Sequence, residues 1–253
     1  MNRTRSPILI LQFRPHVIMA NQEFDLIVKY SGRGAEEFRR VDTTREPINF
    51  ALLDHAAALV LAGSGDYLIS DGDIPEIRAA LKPFLTEARA RRVPTLGICF
   101  GGQLMTEAFD GRIENDESRA EVGTFVVTKT EAGKTDPLFA NLPNHFDAQL
   151  GHKDHIVKLP EGAVCLTSSD RSANQAWRFP GEPVYALTFH PELDVAGTLF
   201  RVDYYAERYH ITPAIRAAIA ASLRESPEAN RLVRHFLDLF VGVDNPVEKS
   251  VDE

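Results

Sequence analysis

The sequence predicts an α/β fold, a mostly parallel sheet covered by helices on both faces, with a helical segment at its C-terminal end. Three observations predict it. Short, continuous apolar runs at 8–13, 57–61 and 95–98 read as strands buried on both faces. Loops rich in Gly or Pro and then helix-like spacing follow them, so strand, loop and helix alternate. After Asp194 the pattern becomes helical throughout.

The first strand, 8–13, stops at Arg14-Pro15, and helical spacing over 17–30 stops at the turn cluster Ser31-Gly32-Arg33-Gly34. The run 57–61 leads into Gly63-Ser64-Gly65. Residues 74–91 form an amphipathic helix, with Asp73 as the expected N-cap, Pro75 in the first turn, and a kink or break expected at Pro83. The run 95–98 feeds a helix over 103–109, which Asp110-Gly111 ends. From Gly123 the character changes, and 124–129, 163–168 and 184–189 read as strands joined by short turns. Thr212-Pro213 and Ser226-Pro227-Glu228 each set an N-cap before a Pro suited to the first helical position. Leu232, Phe236, Leu239 and Phe240 then make an apolar helical stripe. The expected organisation is one domain over 1–195 with 196–253 as a helical extension on the same core, its polar end from Asn245 expected to fray.

The totals narrow the function classes. A chain of 253 residues can bury a single large core, and 44% hydrophobic with 25% charged residues is ordinary for a soluble domain. A net charge of −8 argues against nucleic acid as the main partner, because phosphate binding needs a basic face. Two distant cysteines, Cys99 and Cys165, make no disulfide framework and point to a reducing compartment. The apolar run after Arg3 and Arg5 is too short for a secretion signal, and no stretch approaches the ~20 apolar residues of a membrane helix. A cytoplasmic protein without membrane association is expected.

Three segments carry the chemistry. Gly97-Ile98-Cys99-Phe100-Gly101-Gly102-Gln103 joins a strand to a helix. A nucleophile on that tight turn projects at the carboxyl edge of the sheet. The positive end of the helix stabilises a thiolate, and the Phe100 amide can face a developing oxyanion. Taken alone the segment is equally a small buried Cys beside a Gly-rich turn. Phe189-His190-Pro191-Glu192 follows a strand, where His190 could exchange a proton with a thiol and Glu192 could orient the ring. An isolated His-x-Glu is more often a solvated surface pair. Ala62-Gly63-Ser64-Gly65 offers bare backbone for a second oxyanion donor. It is not a dinucleotide loop, since Leu68 stands where a third Gly is needed, and no Gly-Lys-Ser/Thr follows as in a phosphate loop.

Together these segments resemble the class I glutamine amidotransferases, and among them stand-alone proteins similar to the glutaminase domain of GMP synthase. The resemblance covers roughly 55–195. It implies a flavodoxin-like doubly wound sheet. It implies a cysteine-dependent glutaminase with Cys99 as nucleophile, His190 as general acid and base, and Glu192 as the orienting carboxylate, working through a γ-glutamyl thioester. It places oxyanion donors at the Gly63-Ser64 backbone and the Phe100 amide, and Gln103 beside the glutamine substrate. Gly151-His152-Lys153-Asp154 resembles the family's Ser-His-Gly-Asp loop and brings His152 near the substrate, although Gly replaces Ser and Lys replaces Gly. No metal or organic cofactor is implied. The rival reading of His152, Asp154 and His155 as metal ligands lacks a further clustered Cys or His to close the set.

The substrate class is glutamine or another γ-glutamyl compound. The Ser-Gly-Gly-x-Asp-Ser loop of an ATP pyrophosphatase is absent, so a separate synthetase subunit is the partner to expect. The alternatives are a stand-alone γ-glutamyl peptidase or hydrolase, and a binding or regulatory protein that keeps the fold without turnover. The segment 196–241 either closes over the pocket or forms a homodimer face. Cys165, in a strand-like stretch, reads as core packing, and Trp177 as either core or pocket.

Overall fold

The computed structural model describes residues 6–242. In chain order, β1 (Ile8–Gln12), α1 (Val17–Ser31), β2 (Phe38–Asp42), β3 (Ala58–Leu61), α2 (Pro75–Ala90), β4 (Thr95–Ile98) and α3 (Phe100–Ala108) make the first half. There follow β5 (Arg112–Asn115), β6 (Glu121–Lys129), the short α4 (Glu131–Thr135), β7 (His145–His152), β8 (Asp154–Lys158), β9 (Val164–Ser168), β10 (Ala176–Arg178) and β11 (Val184–Leu187). The chain closes with α5 (Val195–Tyr204), α6 (Pro213–Ser222) and α7 (Pro227–Phe240).

One nine-stranded sheet runs β2-β1-β3-β4-β11-β10-β9-β6-β7, and β5 pairs with β8 apart from it. The first five strands of that order are parallel and the remaining four antiparallel. This is the flavodoxin-like doubly wound order, extended at one edge. After β1 the chain goes to one side for β2 and then to the other for β3, so the crevice beyond their carboxyl ends is the topological switch point.

Alternation along the buried strands builds two cores. Ile8, Ile10, Ala58, Val60, Leu96 and Ile98 face α1 and α7, whose Ile27, Leu232, Val233 and Phe236 complete that layer. Leu9, Leu11, Leu59 and Leu61 face α2 and α3 with Leu81, Phe84, Leu104 and Met105. Each large side chain removed from water contributes roughly 1.5–3 kcal/mol. α7 is therefore built into the core rather than resting on its surface. α6 lies over β6 instead, and none of its residues is buried.

Local expectations fail in three places. Asp73 is not the N-cap of α2. Its carboxylate accepts the Leu68 N–H at 2.9 Å, and Ile74 takes the cap position with a left-handed φ of 45°. Of the kink or break expected at Pro83, the break does not occur, and the helix continues to Ala90. Ser226 occupies the α7 cap position without capping, because its hydroxyl faces the Gln149 side chain at 3.4 Å. Thr212 does cap α6, accepting from the Ile215 N–H. The fraying expected from Asn245 lies outside the described residues. Among the described residues no helix is long and apolar enough to cross a membrane.

Candidate active site

Cys99 stands between β4 and α3 with φ 50° and ψ −111°. A non-glycine residue held there costs on the order of 1–3 kcal/mol, which the surroundings must impose. They do so through backbone contact. The Cys99 N–H donates to the Leu187 carbonyl at 2.8 Å, fixing the turn to the end of β11. A Cβ on Gly101 would stand 2.1 Å from the Leu61 oxygen, and one on Gly102 2.4 Å from the Leu187 oxygen. Only two glycines let the first turn of α3 seat against the strand ends on both sides.

The ends of β3, β4 and β11 meet above this turn. A Cβ on Gly63 would lie 3.2 Å from His190 Cε1 and 3.7 Å from Cys99 Cβ, so ring and thiol share the space over that glycine. The His190 backbone N–H donates to the Gln149 carbonyl at 2.8 Å, tying the residue's main chain to β7. Nδ1 of His190 lies 2.8 Å from Glu192 Oε1, and both side chains are buried. With Nδ1–H donating to the carboxylate, Nε2 is left to exchange a proton with sulfur. Burial disfavours the charged ring, but Glu192 and the Cys99 thiol outweigh it and lift the His190 pKa to about 9. Burial likewise opposes the Glu192 charge, yet His190 and Arg201 hold its pKa at about 2.

The remaining expected site residues are placed as follows. Ser64 turns its hydroxyl to the Phe13 carbonyl at 2.8 Å, leaving the 63–64 backbone at the site. Phe100 is the first residue of α3, where N–H groups have no intrahelical acceptor, and its ring packs in the core against Phe13. Gln103 is buried and spends its Nε2 on the Asp154 carbonyl at 2.9 Å. His152 ends β7, buried beside His155, and burial pushes its pKa down to about 3. Cys165 is half-buried rather than a core residue, and its thiol donates to the Thr167 carbonyl. Trp177 is core, with Nε1 on the Thr106 hydroxyl at 2.7 Å.

Sequence reasoning missed Arg201. From α5 its Nη1 donates to Glu192 Oε1 at 3.0 Å, and its Nε donates to the Gln22 side-chain oxygen at 2.9 Å. A buried guanidinium thus fixes the carboxylate that fixes His190. The signal was present: with Asp194 capping α5, Arg201 falls in phase with the buried Gly197, Thr198 and Val202. Arg201→Met, which keeps length and removes the donors, is expected to lower kcat for any reaction at Cys99 about tenfold with KM unchanged, and Arg201→Lys to recover part of it. Equal loss in both constants, or no loss, would remove Arg201 from the positioning chain.

The segment after α5 covers the 63–66 loop. Tyr205 donates to Asp66 Oδ2 at 2.8 Å and accepts from Arg14 Nη1 at 2.9 Å, while Tyr209 donates to the Gly65 carbonyl at 2.8 Å. The Tyr205 ring leaves no room for a Cβ on Gly65, the nearest ring atom being 2.6 Å away. Arg14 in turn pairs with buried Glu23 at 2.9 Å. This part of 196–241 packs against the loop beside the site.

Comparison with known proteins bears on the family. A family model described as glutamine amidotransferase class-I matches residues 37–198. A GMP synthase (glutamine-hydrolysing) subunit of Methanocaldococcus jannaschii is 37% identical over 119 residues, 47% of this chain and 61% of that protein. A GMP synthase (glutamine-hydrolysing) of Thermosipho melanesiensis is 40% identical over 101 residues, 40% of this chain and only 19% of that protein. The chain therefore spans less than two thirds of these relatives. A crystal structure of a Thermotoga maritima glutamine amidotransferase superposes with a TM-score of 0.71 at 20% identity, covering 94% of this chain and 99% of the other. One of a glutamine amidotransferase from Methylobacillus flagellatus gives 0.71 at 18% identity, over 99% and 100%. These two share the fold, including the helices after β11. The chain belongs to the class I glutamine amidotransferase family.

Proposed function

We propose that this chain hydrolyses the side-chain amide of glutamine through a thioester on Cys99. The observation that supports this most directly is the His190 ring, bonded to Glu192 on one side and facing the Cys99 thiol on the other. The Cys99 thiolate attacks the amide carbon, and the oxyanion is held by the Phe100 N–H and the 63–64 backbone. One such donor is worth roughly 3–4 kcal/mol in the transition state. His190 Nε2–H gives its proton to the departing nitrogen, so ammonia leaves and a γ-glutamyl thioester remains. Water then loses a proton to His190 as it attacks the thioester, releasing glutamate and restoring the thiol. Glutamine and one water become glutamate and one ammonia.

The relatives' names, GMP synthase and one of its subunits, support a role in which the ammonia passes to a separate synthetase. The test is glutamate release by the purified full chain from glutamine and from a set of γ-glutamyl amides and peptides. Turnover of glutamine in preference to γ-glutamyl peptides is expected. Fast cleavage of a γ-glutamyl peptide with glutamine untouched would favour the stand-alone hydrolase. Silence on every substrate, with glutamine also unprocessed in the presence of a GMP synthase synthetase subunit, would leave only a binding role.

A further inference from the structure

We propose that Glu121, His152 and His155 bind one divalent transition-metal ion of the zinc class, between β6, β7 and β8. Glu121 begins β6 and lies directly opposite His152 at the end of β7, and His155 follows on β8. One donor atom from each of the three lies within 4.8 Å of the other two. Sequence alone offered His152, Asp154 and His155 without a further ligand to close the set. The antiparallel pairing supplies it from far upstream, whereas Asp154 is occupied by Ser70 and Asn115.

Two features say that something is missing there. All four ring nitrogens of His152 and His155 are buried, and among the described residues none has a well-made hydrogen bond, although the Gln175 side chain and the Asp154 backbone approach His152 and the Asp116 backbone approaches His155. Buried polar atoms are almost always paired, and leaving them unpaired is costly. Glu121 is fully buried, yet its carboxylate receives only neutral donors, Ser169 Oγ at 2.7 Å on Oε1 and Gln175 Nε2 at 2.6 Å on Oε2. Among the described residues no Lys or Arg forms a salt bridge with it, Arg171 and Arg119 act on it only from a distance, and His152 Nε2 lies 3.5 Å from its Oε2. A buried carboxylate is normally paired with a cation, neutralised by a proton or bound to a metal, and a metal would satisfy Glu121 and both imidazoles together.

The donor set fits. Two imidazoles and a carboxylate are ligand types of Zn²⁺ and its neighbours, with a water as fourth ligand. Ser169 and Gln175 are the outer hydrogen bonds that orient a ligating carboxylate. Tetrahedral zinc sets its ligand atoms about 3.4 Å apart. The present spread closes to that by side-chain rotations that move the donor atoms on the order of 1 Å. Cys99, His190 and Glu192 are not among its ligands, so the metal titration reads it out separately from the reaction proposed at Cys99.

The test uses the full-length chain stripped by a chelator and titrated with Co²⁺, whose visible absorption reports tetrahedral ligation. One Co²⁺ per chain, displaced by one Zn²⁺, is expected. At a hundredfold excess of Zn²⁺ over its Kd, Tm should rise by about 5–10 °C. Glu121→Gln and His155→Gln should each weaken Zn²⁺ binding at least about tenfold, whereas Cys99→Ala and His145→Ala, the latter on exposed β7 surface, should not. The wild-type titration does not depend on the variants folding. No cobalt spectrum and no Zn²⁺ shift in Tm would mean that water fills the space, and would overturn the proposal. So would binding that survives Glu121→Gln and His155→Gln but is lost in Cys99→Ala, because the metal would then sit at the thiol.

Discussion

Cys99→Ala is expected to abolish glutamine hydrolysis, lowering kcat on the order of 10⁴-fold, while circular dichroism and Tm stay close to those of the parent chain. The substitution isolates the sulfur. Ala keeps a Cβ, so the strained φ of 50° costs the same before and after, and the Cys99 N–H to Leu187 anchor is unchanged. Cys99→Gly would instead relax that strain and mix two effects. Cys165→Ala is the companion, expected to leave the rate within about twofold. Burial pushes the Cys165 thiol up, and its proton is engaged by the Thr167 carbonyl, so it is neither ionised nor facing an imidazole. Activity that survives Cys99→Ala, or dies with Cys165→Ala, would end the assignment of the nucleophile.

How much of this was legible depends on what each segment buries. β1, β3, β4 and β11 are apolar on both faces and stand out as continuous runs. They carry the loops that bring Cys99, His190 and Gly63 together, so the heart of the site could be read with them. β2 hides because Arg39 and Arg40 interrupt it, as an edge strand of a sheet allows. β7 and β8 hide for another reason. Their buried positions include Gln149, His152, Asp154 and His155, which read as loop residues until their partners across the sheet are known. The same blindness concealed Glu121 and Arg201, charged groups whose burial is decided by contacts distant in sequence. Hydrophobic patterning finds strands that bury oil, and it misses elements that bury a polar network.

Glu192→Gln carries the second large effect, with kcat/KM for glutamine expected to fall on the order of 10²–10³-fold. Burial alone would hold the His190 ring below its ordinary 6.5, and the carboxylate is the first of the groups that raise it to about 9. A pKa raised on folding stabilises the native chain in full below pH 6.5, and the benefit is lost as pH rises through 9. The parent chain should therefore lose stability between pH 6.5 and 9, and its glutaminase rate should fall above about pH 9 as the imidazolium loses the proton it gives to ammonia. In Glu192→Gln both features should move down by at least about one pH unit. An unmoved alkaline limb would mean that the carboxylate does not control the ring. The variant also leaves Arg201 buried without its anion, a loss more damaging than losing the whole pair. Glu192→Gln combined with Arg201→Met should consequently regain stability over Glu192→Gln alone while regaining no activity. That split separates what the buried charges do for the fold from what they do for His190.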